Sequence, residues 1–278
     1  MFADHGASFV KPHFPFRLGV PSCLYPIDLV SSAQKLGTVV DDVELVLFDV
    51  DGLCNFPSPE VIEGLQAAAE AYDLTYTVHL PLDLILSEGE DLWSNPSMEK
   101  ARRVIRMTRP LKPWAYVGHL DGVAVEDGAS AATVTHWQDQ ALRILEAIGH
   151  EVEEMHLFAL ENLENYNPEV FRPLFAQLPV SACVDVGHFF KNERDPFPYL
   201  HERLARTRVI HLHGSRDHHD HRGLDLVPEP VLVELFELLS AEDYRGVLTL
   251  EVFEQEHFLS GQDCILSLMG EHCALGIS

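Results

Sequence analysis

The chain has 278 residues, 46% of them hydrophobic and 23% charged, which is apolar material enough for a sizeable core and excludes a disordered segment. Its formal net charge is −25, from 44 acidic against 19 basic residues. Such a surface repels polyanions and speaks against nucleic acid as a partner, because duplex binding needs Lys and Arg to displace phosphate counterions. No run approaches a membrane span, and the opening MFADHGASFVKPHFPF lacks the charged and continuously apolar regions of a signal peptide. The five cysteines, Cys23, Cys54, Cys183, Cys264 and Cys273, include no C-x-x-C pair, so reduced, mostly buried thiols in the cytoplasm are expected.

After an expected N-terminal extension over residues 1–16, short apolar runs alternate with longer stretches of helical spacing, the pattern of a parallel α/β fold. The runs are RLGV from Arg17, VELVLFD from Val43, TYTVHL from Thr75, WAYVGH from Trp114, HLFALE from His156, SACVD from Ser181, RVIHLH from Arg208 and GVLTLE from Gly246. Between them, Ser58 and Pro59 suit a helix start, with Val61, Leu65, Ala68 and Tyr72 on one face. Helices are also expected from Pro96 to Met107, from Thr133 to Ile148 with Gly149 as a stop, and in VPEPVLVELFELLS. Asp121 to Ala131 and Asn192 to Pro198 read as loops. No repeat or linker divides the chain, and eight strands close a barrel, so the predicted fold is one α/β domain, a (β/α)8 TIM barrel.

The runs end on Asp49, His79, His119, Glu161, Asp185, His213 and Glu251. In a parallel barrel all carboxyl ends open on one face, where active sites lie. A lone strand-end His is commonly structural, and a lone Asp or Glu commonly caps the next helix. The last six, from His79 to Glu251, would bury polar groups at a cost unless they share a partner, and a bound metal is that partner. In CVDVGHF, Asp185 and His188 stand three apart across Gly187, so both can face the cavity. His211 and His213 point the same way, and the later one reaches the mouth. His213 is therefore expected as a ligand and His211 in the layer below, with the reverse assignment open. In the following HHDHR, His218 reads as a solvated loop residue, whereas His219 and His221 can fold back over the site. Imidazole and carboxylate ligands without thiolate suit zinc, and also manganese or iron.

The pieces VHLP, VGHLDG, LENLE, CVDVGH, IHLHG, HDHRGL and LTLEV, in this order, resemble the xylose-isomerase-like TIM barrels, a superfamily that includes the zinc-dependent abasic-site endonucleases. The resemblance implies two possible ligand sets. An isomerase or epimerase would use one metal on Glu161, Glu251, Asp185 and His213. A nuclease-type centre would use His79, His119 and Glu161 for a first metal, Asp185, His213 and Glu251 for a second bridged by Glu161, and His188 and His221 for a third. The third set departs from the family pattern, which has an Asp where this chain has His219, with Asp220 beside it.

Further stretches, among them VDDVELVLFDVDG, SPEVIEGL, DLTYTVHLPLDL and IHLHGSRDHHDHRGL, look like the cobamide-remodelling phosphodiesterases of that superfamily. The resemblance implies a hydrolase with two or three divalent ions, Glu161, Glu251 and His221 at the chemistry, and a small phosphodiester, a corrinoid, as substrate. Arg216, Arg222 and Lys191 could assist a phosphate or be solvated surface charges. The alternatives are a metal-dependent sugar isomerase or epimerase, and a non-catalytic metal-dependent protein that binds a corrinoid or sugar phosphate.

Overall fold

The computed structural model describes residues 11 and 14–274, apart from 51, 82–94, 165 and 218. His218 and most of the expected N-terminal extension lie outside the described residues. The eight barrel strands are β1 (Arg17–Pro21), β2 (Asp42–Val46), β3 (Thr75–His79), β4 (Ala115–Gly118), β5 (Phe158–Glu161), β6 (Ser181–Asp185), β7 (Thr207–Leu212) and β8 (Val247–Leu250). All pair in parallel with their sequence neighbours, and β8 closes on β1 with Arg17 opposite Val247, so the (β/α)8 TIM barrel predicted from the alternation is the fold.

Outside the barrel lie α1 (Leu29–Leu36), α2 (Pro59–Tyr72), α3 (Pro96–Thr108), α4 (Ala131–Gly149), α5 (Arg172–Gln177), α6 (Val186–Lys191), α7 (Phe197–Arg203), α8 (Glu229–Ala241) and α9 (Gln255–Ala274). Their starts follow local chemistry. Ser58, Asn95 and Ser130 accept hydrogen bonds from first-turn amides of α2, α3 and α4, which would otherwise have no partner. On α2 the buried face is Ile62, Leu65 and Ala68, while Val61 and Tyr72 pack at its half-buried edge.

Two boundaries differ from the sequence reading. The VELVLFD run leaves the barrel at Val46, and Asp49 lies instead in an antiparallel pair, Asp49–Val50 with Leu53–Cys54, turned by Gly52 at φ 79°. Helix α7 begins at Phe197, inside the stretch expected to be a loop. The cysteines also differ: Cys183 is buried on a strand, Cys264 is half-buried, and Cys23 and Cys54 are exposed on the turn after β1 and on that hairpin. Among the described residues no helix is long and apolar enough to cross a membrane.

Candidate metal centre

An apolar plug sets the depth of the site. Ala115, Val117, Ala159, Cys183, Val209 and Val247 form a separate buried cluster. Two residues further along the same strands, on the same side by the period of two, come His119, Glu161, Asp185, His211 and Thr249. On these five strands the interior therefore changes from apolar to polar side chains in one step.

His211 lies at the centre, fully buried. Its Nδ1 is 3.2 Å from Glu161 Oε1, 3.2 Å from Glu251 Oε2 and 3.8 Å from Asp185 Oδ2. Its Nε2 is 2.9 Å from Glu44 Oε2. One ligand atom each of Glu161, Asp185, His211 and Glu251 lie within 4.8 Å of one another, a complete set for a divalent ion.

On one flank, His79 and His119 meet edge to face with ring centroids 4.8 Å apart. Both reach Glu161 Oε2, His119 Nε2 at 2.8 Å and His79 Nε2 at 3.4 Å. On the other flank, His213 lies 4.4 Å from His221 and 5.7 Å from His188, centroid to centroid. His213 Nε2 also faces Asp185 Oδ1 at 3.3 Å.

Backbone carbonyls select the free nitrogen of three of these rings. His79 Nδ1 lies 3.0 Å from the Leu80 oxygen, His188 Nδ1 2.8 Å from that of Asn162, and His221 Nδ1 3.0 Å from that of Glu251. A carbonyl only accepts, so each Nδ1 carries the proton and each Nε2 keeps its lone pair for a cation. Metal-ligating histidines are held in this way.

Local structure explains the placements. Asp185 ends β6 and caps α6, its Oδ1 accepting from the His188 amide at 2.7 Å, so it is both the helix cap and a wall of the site. Asn162 clamps it by exchanging two hydrogen bonds with its backbone, at 2.9 and 3.0 Å. His221 belongs to a hairpin, Gly214–Arg216 paired with His219–Arg222, and stands at φ 54°, a left-handed conformation uncommon for a residue with a Cβ. Gly187 makes room for His213: a Cβ there would sit 2.2 Å from ring atom Cε1.

In the metal-free protein the charges hold one another. Burial opposes the ionised form of Glu161, but His119 and His211 outweigh it and keep the carboxyl well below its usual range. Burial likewise raises Asp185 and Glu251, yet His188 and His213 lower the first and His211 lowers the second. Burial alone would lower His211. A Cys183 thiolate would oppose that, but burial keeps this thiol protonated well above its usual range, so Glu251, Glu44 and Glu161 raise His211. Asp185 Oδ2, Glu251 Oε2 and His213 Nε2 are buried and make no hydrogen bond. Buried acceptors converging without donors fit a divalent cation in the centre.

The structure thus brings together His79, His119, Glu161, Asp185, His188, His213, His221 and Glu251. His211, not His213, stands among the three carboxylates, and His213 joins His188 and His221. His219 is exposed and lines an outer cavity with Arg216 and Arg222. Asp220 Oδ1 lies 4.0 Å from His221 Nε2, while its Oδ2 accepts from Lys191 at 2.7 Å. Lys191 is therefore engaged by Asp220 and Glu164, and Arg222 pairs with Glu254. Glu44 and Asn162 were missed. The signal for Glu44 was a carboxylate at alternate spacing, two residues after Asp42 and between the apolar Val43 and Leu45.

Residues 30–267 match the family described as xylose isomerase-like TIM barrel. An uncharacterized protein of Methanocaldococcus jannaschii is 23% identical over 211 residues, 73% of this chain and 80% of its own length. A D-tagatose 3-epimerase-like protein superposes with a TM-score of 0.73 at 19% identity, covering 92% of this chain and 98% of that one. A 3-keto-D-glucoside 4-epimerase from E. coli gives 0.67 at 14% identity, over 92% and 99%. Endonuclease IV from Thermus thermophilus gives 0.61 at 19% identity, over 92% and 99%. Endonuclease and epimerases share the barrel with this chain.

Proposed function

Because the chain belongs to the xylose isomerase-like TIM barrel family, we propose that it is a metal-dependent hydrolase of a compact phosphodiester, with the nucleotide loop of a corrinoid as the substrate its sequence resemblance suggests. The observation that carries this reading is the presence of histidines on both flanks of the carboxylate centre, His79 with His119 and His188 with His213 and His221. One ion at Glu161, Asp185, His211 and Glu251 leaves five imidazoles unused, whereas two or three ions use them.

Zinc is the proposed metal, with manganese or iron also compatible with the donors; bound divalent ions supply Lewis acidity and acidify a water. Glu161 is placed between the inner set and the His79 and His119 flank, one oxygen toward each. The Oε2 of Glu251, buried and without a hydrogen bond, is placed to take a proton. His221 presents Nε2 because its Nδ1–H is spent on the Glu251 carbonyl. Phe253, 45% exposed with its centroid 4.8 Å from His221, covers that ring on the outer side. The acidic composition belongs to the same reading: a small-molecule phosphodiester, with neither nucleic acid nor membrane as partner and a cytoplasmic setting.

A sugar isomerase or epimerase is the second reading. It is favoured by one observation, that the inner four residues by themselves complete a single-ion site. Metal stoichiometry together with a substrate panel decides. The hydrolase reading expects more than one equivalent of metal and cleavage of a corrinoid nucleotide loop, strongly reduced in His221→Ala with the inner metal retained. One equivalent that resists reloading, with sugar epimerisation, would establish the second reading. Ligand binding with no product would point to a non-catalytic binding protein.

A further inference from the structure

Glu44 sits in the middle of β2, between Val43 and Leu45. The period of two turns its neighbours toward the helices and Glu44 toward the barrel axis, where it is 0% exposed. A carboxylate buried so completely is costly unless it is paired. Glu44 Oε2 is paired with Nε2 of His211 at 2.9 Å, and its Oε1 makes no hydrogen bond.

The two nitrogens of His211 therefore face different surroundings. Nε2 meets a single carboxylate, and Nδ1 meets Glu161, Glu251 and Asp185. An ionised carboxylate only accepts hydrogen bonds, so the proton of the Glu44 contact resides on Nε2. Nδ1 in turn hydrogen-bonds Glu161 Oε1 and lies 3.2 Å from Glu251 Oε2, so the metal-free ring carries a proton there as well, and a cation on that side, where the other carboxylates converge, would take the place of this proton.

We infer that Glu44 is a positioning residue for the inner metal: it holds the proton on His211 Nε2, fixes the plane of the ring, and so presents Nδ1 to a divalent cation shared with Glu161, Asp185 and Glu251. This inference rests on the inner metal of the proposed function and is independent of whether the substrate is a phosphodiester or a sugar. Carboxylates bonded to the far nitrogen of a ligating histidine orient the ring and raise its basicity, and their loss typically costs about 10–100-fold in metal affinity. The competing outcome is direct ligation, because one atom each of Glu44, His79 and Glu251 also lie within 4.8 Å of one another.

The test is zinc titration of protein carrying 15N-labelled histidines, with His211 assigned from the His211→Gln spectrum. The expected result is an Nε2 proton that persists through the titration while the Nδ1 resonance shifts. Glu44→Gln retains an acceptor, so the tautomer stays and zinc affinity falls less than about tenfold. Glu44→Leu removes the acceptor, the protected Nε2 proton is lost, and affinity falls by about 10–100-fold. A melting curve verifies folding, and if Glu44→Leu does not fold, the parent and Glu44→Gln spectra decide. An Nδ1 proton in the zinc-bound parent overturns the inference. Zinc binding in Glu44→Leu equal to that of the parent overturns it as well. Loss of zinc from Glu44→Leu with the Nε2 proton intact identifies Glu44 as a ligand and also overturns it. Failure of the parent to bind zinc removes the inner metal itself, a result distinct from all of these.

Discussion

His213 shows how one residue couples charge to fit. Burial pulls its imidazolium down, but the Asp185 carboxylate 3.3 Å away outweighs burial and pushes it up to about 9. A raised folded value above the ordinary 6.5 means that the group adds stability which is fully present below 6.5 and lost as pH rises through about 9. The metal-free protein is therefore expected to lose stability across that window. Zinc needs an unprotonated ring, so its affinity should rise over the same window and binding at pH 7 should release protons. Calorimetry in buffers of different ionisation enthalpy measures the release, and a buffer-independent heat would contradict it. Fit can be tested at Gly187. Alanine gains about 1 kcal/mol in helix propensity, but its Cβ would sit 2.2 Å from the His213 ring, and overpacking of this kind costs about 1–3 kcal/mol. Gly187→Ala is expected to be destabilised by up to about 2 kcal/mol on denaturant unfolding, with weaker metal binding at His188, His213 and His221; parent-like values in both would disprove the cradle. Most of this site was legible because strand-end polarity is unusual enough to read residue by residue. The choice between His211 and His213 was not, because both share one parity and only the end of β7 at Leu212 separates them. Glu44 was passed over because a single acid inside a strand looks the same in sequence whether it faces the axis or the solvent.

The barrel strands were readable as elements because each is a short apolar run bounded by turn residues, and parallel strands buried on both faces take that form. The adjoining short elements were not. Helix α6 follows Asp185 without a connecting loop, and its six residues are too few to show a helical period in the sequence; the cap from Asp185 to the His188 amide marks its start. The hairpin that carries His221 was hidden for another reason. HHDHR has no apolar alternation, and the turn depends on positive φ at Asp217, a residue that tolerates it through local hydrogen bonding. Besides the bonds of His221 to His213 and to the Glu251 carbonyl, this hairpin is tied down by Lys191 of α6, which donates to Glu164 at 3.0 Å and to Asp220 at 2.7 Å. The ammonium is partly exposed, so screening leaves the pair worth about 0–1 kcal/mol to global stability. Its local effect should be larger, since Asp220 precedes His221. Lys191→Met is expected to leave the melting temperature within a few degrees of the parent while lowering turnover and the affinity of the outer metal. A variant with parent-like turnover and metal content would show that the bonds of His221 to His213 and Glu251 position the hairpin without Lys191.

At the scale of the whole molecule the relevant quantity is the formal charge of −25, set against a cleft whose donors suit cations. The two act over different distances. A divalent ion in the cleft reverses the local sign within a few ångströms, and a single phosphodiester group can follow it in. A duplex is not expected to follow, because its charge extends well beyond the roughly 8 Å Debye length at physiological salt and meets a chain of net charge −25. On the proposed function, composition is the feature expected to separate two substrate classes that the barrel, shared with endonuclease IV and with epimerases, leaves together. The sign of the salt effect tests the separation. A protein that binds DNA through Lys and Arg loses affinity steeply as salt rises, because counterion release drives binding. For this chain the long-range term is repulsive, so added salt screens it. Any incision of an abasic-site duplex by the metal-loaded protein is expected to be weak at low ionic strength and to increase as salt is raised toward the physiological range. Hydrolysis of a small phosphodiester carrying one negative charge is expected to vary little over that range. Measuring both rates on one preparation keeps metal loading constant between the two substrates. Efficient duplex incision that falls with salt would mean that a local cationic surface governs recognition despite the net charge, and the case for a compact substrate would be lost.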